Sequence, residues 1–167
     1  MAKLRVQDLD NRDFEIAKSD PPVLQGQPLT KALSKVGRVR VFVEFDRTID
    51  GPQAAERLIR ETMSKHGTIF VDSISDAKYA VWIGGTGAMH FAFVVLDASN
   101  FARYQCYLCG PRELTAAVMT TLANFVSTSN PAPSDRPATG RRRLWLAAIV
   151  LSLVVLGVWL ASQVFQR

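Results

Sequence analysis

The 167-residue chain carries 20 Lys and Arg against 15 Asp and Glu, a net charge of +5, with 48% hydrophobic residues and two cysteines. Residues 141–167 hold four of the arginines and no acid, which leaves 16 bases against 15 acids in residues 1–140. The basic excess belongs to the C-terminal end, and no basic stripe interleaved with aromatics precedes it, so the composition argues against a nucleic-acid partner.

Residues 1–35 read as an N-terminal arm. LRVQDL (4–9) and DFEIAK (13–18) each offer a short edge strand, a mobile arm is the alternative, and Pro21 and Pro22 interrupt the arm beyond them. The first twenty residues are charged throughout and lack an apolar core, so neither a secretory signal nor a first membrane span is expected there. Residues 36–126 are long enough for one small globular domain with its own core.

Within that domain, residues 39–45 set Val39, Val41, Val43 and Phe45 against Arg40, Phe42 and Glu44, the period-two pattern of a strand. Asp50, Gly51 and Pro52 signal a helix start, Ala55, Leu58, Ile59 and Met63 recur at helical spacing, and Gly67 stops the run. TIFVDSI (68–74) and YAVWIGG (79–85) are strand candidates, and MHFAFVVLD (89–97) with FARYQCYL (101–108) predicts an antiparallel hairpin. A second helix is expected from Gly110 and Pro111, with Leu114, Ala117, Val118, Thr121, Leu122 and Phe125 on one face. The predicted fold is a small two-layer α/β sandwich of order β-α-β-β-β-α, its mixed or antiparallel sheet packed by two helices.

The strand and helix, then Asp76 to Gly85, an apolar hairpin and a closing helix resemble the domain shared by CsgG-like curli-secretion proteins and the outer-membrane lipoprotein activators of penicillin-binding proteins. In that family an Ala-Asp-Tyr strand leads to a glycine, and Ala77, Lys78, Tyr79 and Gly84 stand in comparable places over residues 39–126. The resemblance implies the fold. This chain differs in having no N-terminal lipidation cysteine and an apolar segment at its C-terminal end.

Residues 127–140, STSNPAPSDRPATG, read as a semi-extended Pro-rich linker, completed by the basic flank Arg141, Arg142 and Arg143. Residues 144–165 then contain no charge and, at about 1.5 Å per residue, make a helix of about 33 Å, enough to span a bilayer core. The three arginines place the preceding domain in the cytoplasm, while Trp145 and Trp159 suit the two interfacial belts. The expectation is therefore a tail-anchored, single-pass protein of a bacterial inner membrane, with the lipid bilayer as one partner. Gly157 and Ala161, like Ala148 and Ser152, are spaced four apart and permit close helix approach, hence a homo-oligomer.

Chemistry is sparse. Cys106 and Cys109 form the one CxxC, and a cysteine near a helix N-terminus has a thiolate stabilised by the dipole, so a thiol oxidoreductase with Cys109 as nucleophile and Cys106 as resolving thiol is one alternative. Two buried cysteines of a reducing compartment are the other reading. His66 and His90 lack the spacing of a metal site, and neither metal nor cofactor is expected. Gly84, Gly85, Thr86 and Gly87 form a turn that offers backbone amides to a ligand or partner, without the lysine and following helix of a nucleotide loop. Asp46, Asp50 and Asp97, at predicted strand ends, are candidates to converge on one sheet edge. The functional expectation is a non-enzymatic interaction domain at the cytoplasmic membrane face, binding a protein through the glycine turn or a sheet edge. A small-ligand sensor is a further alternative.

Overall fold

Alternation in residues 40–45 and continuous apolar runs in residues 79–85 and 91–97 build a five-stranded sheet at the centre of the computed structural model, which describes residues 2–46, 52–85 and 90–129. Its strands are β3 (Arg40–Phe45), β4 (Ile69–Val71), β5 (Tyr79–Gly85), β6 (Phe91–Asp97) and β7 (Asn100–Cys109), in spatial order β4-β3-β5-β6-β7. β3 is parallel to β4 and β5, and the remaining pairs are antiparallel, so the sheet is mixed. Before it come a hairpin of β1 (Lys3–Val6) and β2 (Arg12–Glu15), then helix α1 (Gly26–Val36). Helix α2 (Pro52–Lys65) joins β3 to β4, and α3 (Leu114–Ser129) follows β7.

The α/β class matches the sequence reading, and the arrangement extends it. Three helices are present where two were expected, the four strand candidates of residues 68–108 all form where the order β-α-β-β-β-α counts three, and the hairpin adds a second, separate sheet. The unexpected helix α1 has Leu29, Ala32, Leu33 and Val36 at helical spacing and stops at Gly37, whose φ of +66° suits glycine. Residues 3–15 form a hairpin on their own rather than an edge strand of the main sheet. Asp10 and Asn11 turn the hairpin in left-handed conformation, which short polar side chains tolerate.

The two faces of the sheet are both covered. Val41, Val43, Phe45, Tyr79, Val81, Ile83, Phe93 and Val95 face α1, α2 and α3 in one core cluster. Their alternates Ala80, Trp82, Val94, Leu96 and Cys106 pack under Val6, Leu9 and Phe14 of the hairpin. Phe14 is 2% exposed and meets Tyr104 edge-on, 4.9 Å between centroids. The chain then turns round the β7 edge: Ala17 N donates to the Cys106 carbonyl (2.8 Å), and Leu24 N donates to Thr120 Oγ1 on α3 (3.0 Å). One edge of the sheet is thus strapped, which suppresses strand addition there.

Helix α3 begins at Leu114, after a turn at residues 111–113, and runs to Ser129, past the expected start of the linker at residue 127. Ten of its residues are buried, as expected for a helix apolar on most faces that sits among other elements. In α2 the contact line follows Ala55, Ile59 and Met63 at four-residue steps, which leaves Leu58 50% exposed. Among the described residues no helix is long and apolar enough to cross a membrane. The segment 144–165, with Arg141, Arg142, Arg143, Trp145, Trp159, Gly157 and Ala161, lies outside the described residues.

Candidate functional site

The topology creates a crevice at the carboxyl ends of β3 and β5. β3 leads through α2 to β4 on one side, whereas β5 leads to β6 on the other, and connections that part in this way leave an opening between the strand ends. The opening is a cleft of about 630 Å³. Its floor is Glu44, Phe45 and Asp46 of β3 with Trp82, Ile83 and Gly84 of β5, and Leu4 to Gln7 of the hairpin form its roof.

Parallel register puts Glu44 opposite Trp82, and Trp82 Nε1 donates to Glu44 Oε2 at 2.7 Å. The carboxylate is thereby oriented by the indole at the cleft wall, and Phe42 packs on the same indole at 5.5 Å between centroids. Gly84 lies beside the roof: a Cβ there would stand 3.5 Å from Leu4 Cδ1 and 3.9 Å from Asp46 Cβ, ordinary contact distances. Any larger side chain at this position projects into the cleft. Across the hairpin, Arg5 Nε donates to Asp13 Oδ1 (3.0 Å), and that bond holds the exposed Asp13 carboxyl below its ordinary value.

A second cleft of about 590 Å³ lies on the other side of β3 and shares Glu44, Phe45 and Asp46. It exists because β4 is short. The parallel register ends at Val71 opposite Phe42, so the next carbonyl on that side of β3, Val43 O, accepts from Arg60 Nη2 (2.9 Å) in place of a strand neighbour. Glu56 Oε1 holds the guanidinium (2.7 Å), which lies over the Phe70 ring at 5.2 Å.

The cysteines do not meet in any cleft. Three residues apart on β7, they point to opposite faces, Cys106 into the hairpin-side core and Cys109 into the helix-side core. Burial pushes both thiols up to about 12, and the charge of Glu113 adds to the effect at Cys109. The dipole effect expected near the start of a helix is outweighed, because Cys109 is 5% exposed and α3 begins five residues later. Such thiols are poor nucleophiles, and a disulfide between them would have to pass through the sheet.

Of the glycine turn, Gly84 and Gly85 close β5 and Gly84 enters the cleft, while Thr86 and Gly87 lie outside the described residues. Asp46 lines both clefts, but Asp97 pairs with Tyr79 at the other end of the sheet, so these two aspartates do not converge; Asp50 lies outside the described residues. Among the described residues no group of three or more His, Cys, Asp or Glu side chains is placed to hold a metal ion. Glu44, Trp82, Arg5 and Gln7 were missed in the sequence. Alternation placed Glu44 on a strand and the apolar run 79–85 placed Trp82 on another, but only the parallel register brings them together across 38 residues.

No family model and no curated protein matches the chain. Among solved structures it is similar to a PelC dodecamer from Paraburkholderia phytofirmans, at 17% identity over 66% of this chain and 91% of that one, with a TM-score of 0.29. At that identity and superposition the likeness bears on neither activity nor partner.

Proposed function

We propose that this chain is a tail-anchored, single-pass protein of a bacterial inner membrane whose cytoplasmic α/β domain binds a protein partner through the cleft at the carboxyl ends of β3 and β5. One observation carries the binding half of this reading: the cleft lies at the pole opposite the one where the described chain ends. α3 starts beside the Cys109 end of β7, at the cleft pole, and runs back until Phe125 meets Tyr79, the first residue of β5, at 5.9 Å. Ser129, one turn further, ends the described chain at the pole away from the cleft. The membrane half rests on the uncharged run 144–165 and its arginine flank. The CsgG-like resemblance of residues 39–126 enters as fold only.

The cleft walls suit recognition. The buried indole of Trp82 holds Glu44 as a fixed acceptor, and the roof strand β1 supplies a neighbouring backbone. The diverging, buried thiols disfavour the oxidoreductase alternative. A second reading, a small-ligand sensor, is favoured by the volume of about 630 Å³, since ligand pockets span about 300–1,000 Å³.

A photo-crosslinking residue at Gln7 in the full chain tests both readings in cells. A discrete protein adduct, lost in Gly84→Leu while the melting temperature is held, is the expected result. A bound small molecule in native mass spectra, with no adduct, would select the sensor. Adducts that survive Gly84→Leu would remove the cleft from the function. Protease added to sealed spheroplasts should spare residues 1–129, and their digestion would reverse the assigned orientation.

A further inference from the structure

We infer that the pole of the domain opposite the cleft is a docking face for an anionic lipid surface, an inference that rests on the tail-anchor reading above. The topology gathers this face from separate segments. α1 ends at Val36 and leads into the start of β3, and α2 ends at Lys65 and leads into the start of β4. The two junctions touch, for a Cβ on Gly67 would lie 3.8 Å from Gly37 O and 4.0 Å from Arg38 Cγ. β5 enters beside them, with Lys78 N donating to Arg40 O (2.9 Å). Ser129 ends α3 at the same pole.

The side chains collected there are predominantly basic. Lys35, Arg38, Arg40, Lys65 and Lys78 are exposed, and they come from α1, the α1–β3 junction, β3, α2 and the approach to β5. The acids at that end are fewer. Glu61 is bonded to Lys65 (2.9 Å), Asp97 is half-buried and bonded to the Ser99 hydroxyl (2.6 Å), and Asp76 is exposed. The cleft pole has the opposite character, with Glu44, Asp46, Glu56 and Asp72 against Arg5 and Arg60 along the two openings. A domain whose sequence is nearly neutral is thus electrically polarised.

Two arguments select a membrane as the occupant. The first is where the chain goes: from Ser129 at this pole, eleven residues lead to Arg141–Arg143 and the uncharged run 144–165. A short linker of this kind makes docking an effectively intramolecular event. The second is charge complementarity, since each Lys or Arg near an anionic leaflet adds about 1 kcal/mol, or about fivefold in the docked-to-undocked ratio. The three helix C-termini at this pole also attract cations, which accounts for Lys35 and Lys65 in their last turns. It does not account for Arg38, Arg40 and Lys78, which lie outside the helices.

The test uses the full chain reconstituted in vesicles, with a donor dye at Ser34→Cys beside the basic pole or at Gln53→Cys near the cleft, and an acceptor dye in the lipid. Cys106 and Cys109 are buried and escape labelling. In vesicles with about one-third phosphatidylglycerol, transfer from position 34 should exceed that in pure phosphatidylcholine, and about 0.5 M salt should abolish the difference. Lys35→Gln, Arg38→Gln and Arg40→Gln together should lower the docked-to-undocked ratio about hundredfold with Arg141–Arg143 intact. Equal transfer in both lipids, stronger approach by position 53, or approach that follows protein density rather than lipid charge would overturn the proposal, the last assigning the pole to a second copy. Failure of the chain to float with neutral vesicles would instead remove the anchor itself.

Discussion

Titration of Cys106 and Cys109 tests the packing of both faces of the sheet at once. Each thiol has an ordinary value of 9.0 and is pushed up to about 12 by burial, in separate core clusters. At pH 8 a thiol at 9.0 is about one-tenth thiolate, whereas one at 12 is about one in ten thousand, so native labelling should run about a thousandfold slower than labelling in guanidinium. The same difference corresponds to about 4 kcal/mol per thiol. Because the folded value lies above the unfolded one, this stability is fully present below pH 9 and is lost as pH rises from 9 towards 12. Two such losses approach the whole stability of a small domain, about 5–15 kcal/mol. Alkaline unfolding followed by near-ultraviolet circular dichroism should therefore set in above pH 9, and the transition should shift upward in the Cys106→Ala, Cys109→Ala double variant. Rapid native labelling with a midpoint below pH 9, or a reversible disulfide between the two thiols, would refute the placement of the pair on opposite faces.

Phe14→Ala should destabilise the chain by about 3–5 kcal/mol in urea titrations, since the ring is 2% exposed and is shared by the hairpin and Tyr104. A loss below about 1 kcal/mol would mean that the hairpin is not part of the cooperative unit. Thr120→Val keeps the shape of the side chain and removes the acceptor of Leu24 N, at a cost of about 1–3 kcal/mol, and hydrogen exchange at Leu24 should rise with it. Gly84→Ala should change stability by under about 1 kcal/mol, because its methyl meets Leu4 and Asp46 at ordinary distances. A larger loss would show that the roof of the cleft has no room to give.

Periodicity was a good guide wherever it was strong and local. Residues 79–85 form β5 with the bounds of the apolar run YAVWIGG, and the long hairpin of β6 and β7 follows from two apolar runs around a polar turn. α1 carried an equally regular stripe, Leu29, Ala32, Leu33 and Val36, and a glycine stop, but Pro21, Pro22 and Pro28 in a polar context hid it. Pro28 sits in the first turn of the helix, where a missing amide hydrogen costs little. The cleft was legible only at Gly84 and Asp46. Its other walls depend on which strands become neighbours and in what register, and the roof depends on a hairpin that folds back over residues 37 positions away or more. Such pairings are set by burial of the whole sheet, not by any local pattern.

The separation of the cleft from the exit of the chain follows from connectivity rather than from any special residue. In a parallel β-α-β unit the helix must return the chain to the starting end of the sheet, so α2 ends where β4 begins, as α1 ends where β3 begins. β7 runs in the same direction as β5 and ends at the cleft pole, opposite Phe91. Had the described chain ended there, its last residue would have lain beside the cleft. Helix α3, with 16 residues and about 24 Å of length, carries it back across the sheet instead. Burial of ten of its residues fixes that path, because releasing the helix would strip the helix-side core of Leu114, Ala117, Val118, Leu122 and Phe125 together. The same helix that closes the core therefore sets the pole at which the described chain ends, and the basic residues at the starts of β3 and β5 fall at that pole by the same geometry.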